Sequence, residues 1–190
     1  GRLEFEHALS NAEGLGPVFN DSSCAQCHSL PVAGGFSSSA VTRFGKAASG
    51  PDPFDPLDAL GGSLLQDQTI GGGCVEVVPP EADVTAFRVT PHLFGLGLVE
   101  SISDGDLLDL EANPPHASVA GVVHMVTPLE GGGPRAGRFG WKSQVATVLT
   151  FSADASLNEM GLTNRFLTTD NAPNGNLALL AACDSVSDPE

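Results

Sequence analysis

Two cysteines three residues apart, followed at once by a histidine, stand near the start of the chain: Ser23-Cys24-Ala25-Gln26-Cys27-His28. On a short helical segment, residues three apart share a face. The two thiols can then address the two vinyl groups along one edge of a porphyrin, while the next residue swings its imidazole under the ring. This spacing is the attachment signature of c-type haem, with Cys24 and Cys27 as thioether positions and His28 as proximal iron ligand. One covalent haem c is therefore the expected cofactor, carrying the electron chemistry that the protein tunes. Two other readings use the same residues. A redox-active disulfide of the thioredoxin kind needs a strand before the motif and a helix after it, but Gly14, Gly16, Pro17 and Asn20 make the preceding stretch a loop. A zinc site needs a fourth ligand with paired spacing, and Cys74 and Cys183 each stand alone.

The other face of the iron is either open, which permits peroxide chemistry, or closed by a second ligand, which favours electron transfer. The candidates are Met125, Met160, His7, His92, His116 and His124. Met160 fits best: it closes the longest expected helix, immediately before Gly161. His124 is the next candidate; it neighbours Met125 in an expected strand, so those two point to opposite faces. His/Met ligation would raise the reduction potential relative to bis-His. The haem propionates need cations or donors. Arg43, Arg88, Arg138 and Lys142 are set among apolar and glycine-rich stretches, and Trp141 can donate through its indole N–H. Each is equally explained as a solvated side chain. Residues 91–99, with Phe94 among Leu93, Leu96 and Leu98, form a glycine-punctuated apolar loop suited to wrapping a flat ring or to ordinary core packing.

The elements that must position these residues are few and short. Helices are expected over 2–10, over the cysteine motif with Ser22 or Ser23 as cap, over 104–112 with a Ser103/Asp106 cap, and over 142–159, ended by Gly161 as a C′ glycine. Strands are expected over 74–78, 84–90, 121–127 and 135–141. Residues 36–73, dense in Gly, Ser, Pro and Asp, read as a long irregular excursion of the functional kind. The last thirty residues read as polar and Asn-rich. The whole is a mainly α, cytochrome c-like haem domain with long loops and small β insertions, spanning 1–190 as a single domain.

Composition sets the outer bounds. The chain has 190 residues, of which 41% are hydrophobic and only 6% aromatic, with 23 Gly and 14 Pro. A haem would supply apolar surface that such a chain lacks. Acidic residues number 23 against 8 basic, for a formal net charge of −15. That excludes nucleic acid and anionic membrane as partners; it suits a plain acidic surface or the steering of a basic partner. No stretch of 18 apolar residues is present, so no transmembrane helix is expected. The chain opens at Gly1 without Met, as a processed chain or part of a longer one does. Haem c attachment takes place outside the bacterial cytoplasm, so a periplasmic or extracellular site is expected. There Cys74 and Cys183 can pair as a disulfide.

Four segments together resemble the bacterial di-haem oxidoreductases, also labelled putative thiol oxidoreductases or di-haem peroxidases. They are Gly14-Leu15-Gly16-Pro17-Val18-Phe19-Asn20 leading into the motif and Gly34-Gly35; Pro91 to Glu100; Gly137-Arg138-Phe139-Gly140-Trp141-Lys142; and Glu159-Met160-Gly161-Leu162-Thr163-Asn164. The resemblance implies a distant relation to bacterial cytochrome c peroxidases and other haem domains or redox proteins as partners. That family carries a second Cys-x-x-Cys-His in a C-terminal domain; these 190 residues hold one. The expected function is electron transfer as a module of a larger redox protein or cytochrome assembly, with a peroxidase-like domain as the alternative.

Overall fold

The computed structural model describes residues 1–48, 54–116 and 118–184. The middle of the 36–73 excursion, including Pro51 and Pro53, and the end Asp188-Pro189-Glu190 lie outside the described residues. Two compact units form: Gly1–Leu93 with Ala155–Glu190, and Phe94–Asp154.

In the first unit the order is α1 (Arg2–Glu6), β1 (Val18–Phe19), α2 (Cys24–Cys27), β2 (Ala40–Ala47), β3 (Phe54–Asp55), β4 (Gln68–Thr69) and β5 (Val84–Val89), with α6 (Leu177–Cys183) near the end. The second holds α3 (Leu96–Glu100), α4 (Asp104–Ala112), β6 (Met125–Val126) and β7 (Arg135–Ala136); the division between the units falls inside α5 (Val148–Met160).

The mainly α class is corrected. The described residues are 29% helical and 17% strand, in six short α-helices and several small sheets. The largest sheet, β3-β2-β5, is antiparallel and contains the eight-residue β2, inside what reads as irregular sequence. The reason is tertiary. Thr42, Arg43 and Gly45 give weak alternation by themselves, but pairing of Ala40–Gly45 with Val84–Val89 satisfies the backbone, and Phe44 is buried to 1% exposure. Composition hides such strands because their stability comes from cross-strand partners and burial.

The first unit has two small apolar clusters on either side of β1. Val18 joins Cys74 and Cys183, with Leu179 of α6 against them; Phe19 joins Leu15 and Met160, with Leu9, Cys24, Ile70 and Leu162 packed around. Successive strand residues point to opposite faces, so two residues serve both clusters. Cys74 and Cys183 form a disulfide, Cα–Cα 5.7 Å, across a sequence separation of 109. Disulfides persist in oxidising compartments. No helix among the described residues is long and apolar enough to cross a membrane.

Helix α5 starts at Val148, six residues later than its apolar spacing suggests, because Gly140 and Ser143 adopt positive φ (80° and 51°) and turn the chain back. The Phe139–Val145 bridge closes that turn. Thr147 Oγ then accepts the Thr150 N–H at 3.1 Å, capping the helix. Glu100 accepts the Val148 N–H at 3.3 Å and Glu130 accepts the Thr150 hydroxyl at 2.6 Å. Both carboxylates favour the positive end of the helix. At its other end Gly161 has φ +69° and donates to Leu157 O at 2.8 Å. A Cβ there would press on the Gly16 backbone, so the C′ glycine is required by a close approach as well as by its φ.

Candidate functional site

Ser23, in extended conformation, precedes α2, and Cys24 and Cys27 lie at its two ends with free, half-buried thiols. His28 N–H donates to Cys24 O at 2.9 Å, closing the turn, and the histidine leaves the helix in a non-helical conformation. Its Nδ1 lies 3.2 Å from the Gly35 carbonyl, which fixes Nδ1 as the protonated nitrogen when the ring is neutral. Gly35 is held by a hairpin in which Leu30 and Phe36 exchange two backbone bonds of 2.8 Å. A Cβ on Gly35 would collide with the Leu30 carbonyl. The Phe5 ring of α1 stands 6.3 Å from the His28 ring, tilted by 50°.

A strap closes over the same residues. Thr90 follows β5 directly and lies near Cys27, its hydroxyl donating to Ser39 O at 3.4 Å. The Pro91 carbonyl faces the His28 ring, and Leu93 N–H donates to Gly34 O at 2.7 Å. On the other side the Gly14–Asn20 segment meets the end of α5. Gly16 N–H donates to Met160 O (3.1 Å), Asn20 N–H to Glu159 O (2.8 Å), and the Asn20 amide to Glu159 Oε2 (2.7 Å). Met160 is thereby placed in the cluster against which Cys24 packs, at 9% exposure.

The electrostatics bear on the readings of the motif. Burial pushes the Cys24 thiol up. Cys27 is pushed up to about 11, first by burial, then by the carboxylates of Asp21 and Glu159; Asp21 Oδ2 lies 3.9 Å from its sulfur. A thioredoxin-type dithiol needs the opposite, a thiolate stabilised by positive charge. Burial also pushes His28 down, partly countered by the Gly35 and Pro91 carbonyls. It is thus neutral at pH 7, as a metal ligand must be. A zinc site would need four donors, and no group of three or more His, Cys, Asp or Glu side chains is arranged to hold a metal ion among the described residues.

These residues fit a covalent haem. Two neutral thiols share one turn, and the imidazole has its Nδ1 occupied by a backbone carbonyl, so Nε2 is the nitrogen that would ligate. That second hydrogen bond is the usual support of a ligating histidine.

Of the other candidates, Arg43 and Arg88 lie in the first unit, on β2 and β5. His7 is exposed and bonded to Glu13 at 2.8 Å. His92 is exposed, in the strap. Phe94, Arg138, Trp141, Lys142, His116, His124 and Met125 belong to the 94–154 unit. There the Arg138 guanidinium donates to Glu100 O (2.9 Å) and Ile102 O (2.8 Å) and pairs with Asp104, tying α3 to the start of α4. His124 Nδ1 contacts Ser143 O at 3.2 Å, while Phe94 and Trp141 are exposed. Asn20, Asp21, Thr90, Pro91 and Glu159 were not singled out by residue type, because polar residues beside a motif read as loop. The signal that could have found Asn20 and Glu159 is their presence in two of the four segments carrying the family resemblance.

Protein-family models, curated proteins and solved structures show no match to this chain.

Proposed function

We propose that this chain is a c-type cytochrome module that carries one haem on Cys24 and Cys27 and passes electrons to and from other redox proteins. The single observation that carries the reading is the Cys24–His28 turn with Nδ1 of His28 tied to Gly35. When bound, the haem supplies one-electron chemistry at iron. The protein's part is positional. Cys24 and Cys27 would hold the group covalently, and Gly35 and Phe5 set the plane of the imidazole. Leu15, Phe19 and Ile70 exclude water beside the attachment turn. Met160, the methionine that falls in the same unit as the motif, would hold the iron from its other side through its thioether. A neutral thioether prefers ferrous iron and so raises the potential.

The resemblance to the di-haem oxidoreductases supports placing the module in a larger redox protein or cytochrome assembly. The disulfide supports a periplasmic or extracellular site, and the net charge of −15 suits a basic partner. The test is extraction in acid acetone followed by spectroscopy of the holoprotein. Haem retained on the polypeptide, with a low-spin spectrum and a near-infrared sulfur-to-iron band, is expected. Haem released into the solvent sinks the proposal; a high-spin ferric haem that consumes peroxide replaces it with the peroxidase-like alternative.

A further inference from the structure

The largest sheet ends on β5, and the hydrogen bonds of its neighbour show which way the outer backbone groups of β5 point. In an antiparallel ladder, successive residues aim their N–H and C=O groups at opposite edges. On β2, Phe44 N–H donates to Ser63 O at 2.9 Å and Leu65 N–H donates to Thr42 O at 3.0 Å. The backbone groups of Thr42 and Phe44 thus face the 63–65 segment. Those of Val41 and Arg43 are left to face β5, where the two residues pair with Arg88 and Ala86. Thr90 N–H, which donates to Ser39 O at 3.3 Å, continues the same alternation. The N–H and C=O groups of Thr85, Phe87 and Val89 therefore point away from the sheet, along an edge with no strand beside it among the described residues. Arg88 Nη1 donates to Phe87 O at 3.2 Å, which fits that direction and leaves the carbonyl a second lone pair.

Thr85, Phe87 and Val89 also share one face of the sheet, and all three are exposed, Phe87 to 74%. An open edge of this kind is a template for another strand. Two observations identify the strand that fits. The first is charge. Arg88 is the only charged residue of β5, and Asp83, just before it, turns its carboxylate to Ala47 N–H of β2 at 2.6 Å. The edge is therefore basic within a chain of net charge −15; it repels a basic segment and attracts an acidic chain. The second is self-complementarity. Antiparallel pairing of β5 with β5 of a second copy, about a two-fold axis at Phe87, sets Phe87 opposite Phe87, Thr85 opposite Val89 and Arg88 opposite Ala86. Aromatic and β-branched pairs then share the exposed face, and no like charges stand opposite one another on the paired strands. The outward N–H and C=O groups exchange bonds, and the contact closes on itself as an isologous one does.

We propose that the β5 edge joins two copies of this chain into a dimer, with one antiparallel sheet running across the two-fold axis. A single strand pair falls below the ~1,200 Å² of a stable complex, so the association is weak and reversible. Salt strengthens it by screening the two chains of charge −15 from each other. The inference is independent of the haem reading.

The test is sedimentation velocity of the full chain from ~10 μM to ~1 mM, at low and high salt, with amide hydrogen exchange read at both ends of that range. A monomer–dimer equilibrium that tightens with salt is expected, with the Thr85, Phe87 and Val89 amides protected at the high concentration only. Phe87→Lys sets two like charges opposite one another and should weaken the dimer by roughly tenfold or more. Thr85→Pro removes an outward donor while sparing the bonds to β2, and should weaken it in the same direction. Leu3→Lys makes the same charge change on exposed α1 and should leave the dimer at wild-type strength. A chain that stays monomeric over the whole range overturns the proposal. So does a dimer whose three amides exchange equally at both concentrations, or one that Phe87→Lys and Leu3→Lys affect alike. The exchange measurement uses the wild-type chain, so it decides the matter even where a variant fails to fold.

Discussion

Replacing both Cys74 and Cys183 by Ala removes a cross-link that closes a loop of sequence separation 109. The loop-closure expression for a cross-link gives, for n near 109, about 5 kcal/mol at 25 °C. The bond is also enclosed: Cys74 has no exposed surface and Cys183 is 7% exposed, against Val18 and Leu179. Loss of the two sulfurs adds a packing cost of the same sign. For a chain of this size, 1 kcal/mol corresponds to ~2–4 °C in Tm, so the double variant should melt about 10–20 °C lower. Thermal unfolding followed by circular dichroism, with and without dithiothreitol, measures this; wild type in reductant should approach the variant. Hydrogen exchange should show α6 losing protection first, because Cys183 is its last residue. A fall below about 3 °C, unchanged by reductant in wild type, would refute the reasoning that loop closure stabilises this unit.

Met160→Leu conserves core volume and should cost under about 1.5 kcal/mol, yet abolish the near-infrared band and lower the midpoint potential; an intact band removes Met160 from the iron. Gly35→Ala forces a Cβ onto the Leu30 carbonyl. It should destabilise by about 1–3 kcal/mol and broaden the haem electron paramagnetic resonance signal as the His28 plane is released; an unchanged signal contradicts the role given to the Gly35 carbonyl. Asp104→Ala leaves the Arg138 side chain, 4% exposed, without its carboxylate and should cost about 3 kcal/mol in urea unfolding; a loss below ~1 kcal/mol would show the two carbonyl acceptors to be sufficient. Glu13 is held down to about 2, first by the Ser10 hydroxyl and then by His7. A depressed carboxyl contributes stability above its unfolded value of 4.5 and loses it as pH falls towards 2; a carboxyl chemical shift titrating near 4.5 would disprove the bonding at this capping box.

How much was legible depended on whether the signal was local. The cysteine turn, the Ser103 cap of Asp104–Ala112, the Gly161 stop and strand Val84–Val89 all follow from residues within one turn or one alternating run. Strand β2 was not legible, because its partner lies some forty residues away. Helix α6 was hidden by the Asn-rich stretch before it, although Asn176 is its cap and accepts the Leu179 N–H at 3.0 Å. Residues 74–78 form no strand: Glu76 turns inward and accepts Gln66 N–H (2.7 Å) and Asn174 N–H (3.0 Å), bonds that replace a ladder. Residues 96–100 make a short helix instead of a loop once Gly95 adopts φ +79° before it. At the site, residue type and spacing singled out Cys24, Cys27 and His28, which the structure places on one short turn. The strap over them and the carboxylates around Cys27 come from distant segments that only folding brings together.

The acidic setting of Cys27 bears on how the chain is made. A thiol must ionise before it can attack a disulfide or an oxidant. At pH 7 an ordinary cysteine is thiolate at a few per cent, whereas one held at about 11 is ionised in roughly one molecule in ten thousand. The folded unit therefore shields Cys24 and Cys27 from the oxidation that joins Cys74 to Cys183, even though the first pair is three residues apart and the second 109. The motif also lies outside the loop that the disulfide closes, so cross-linking threads nothing around it. One cysteine pair can be oxidised early while the other stays reduced.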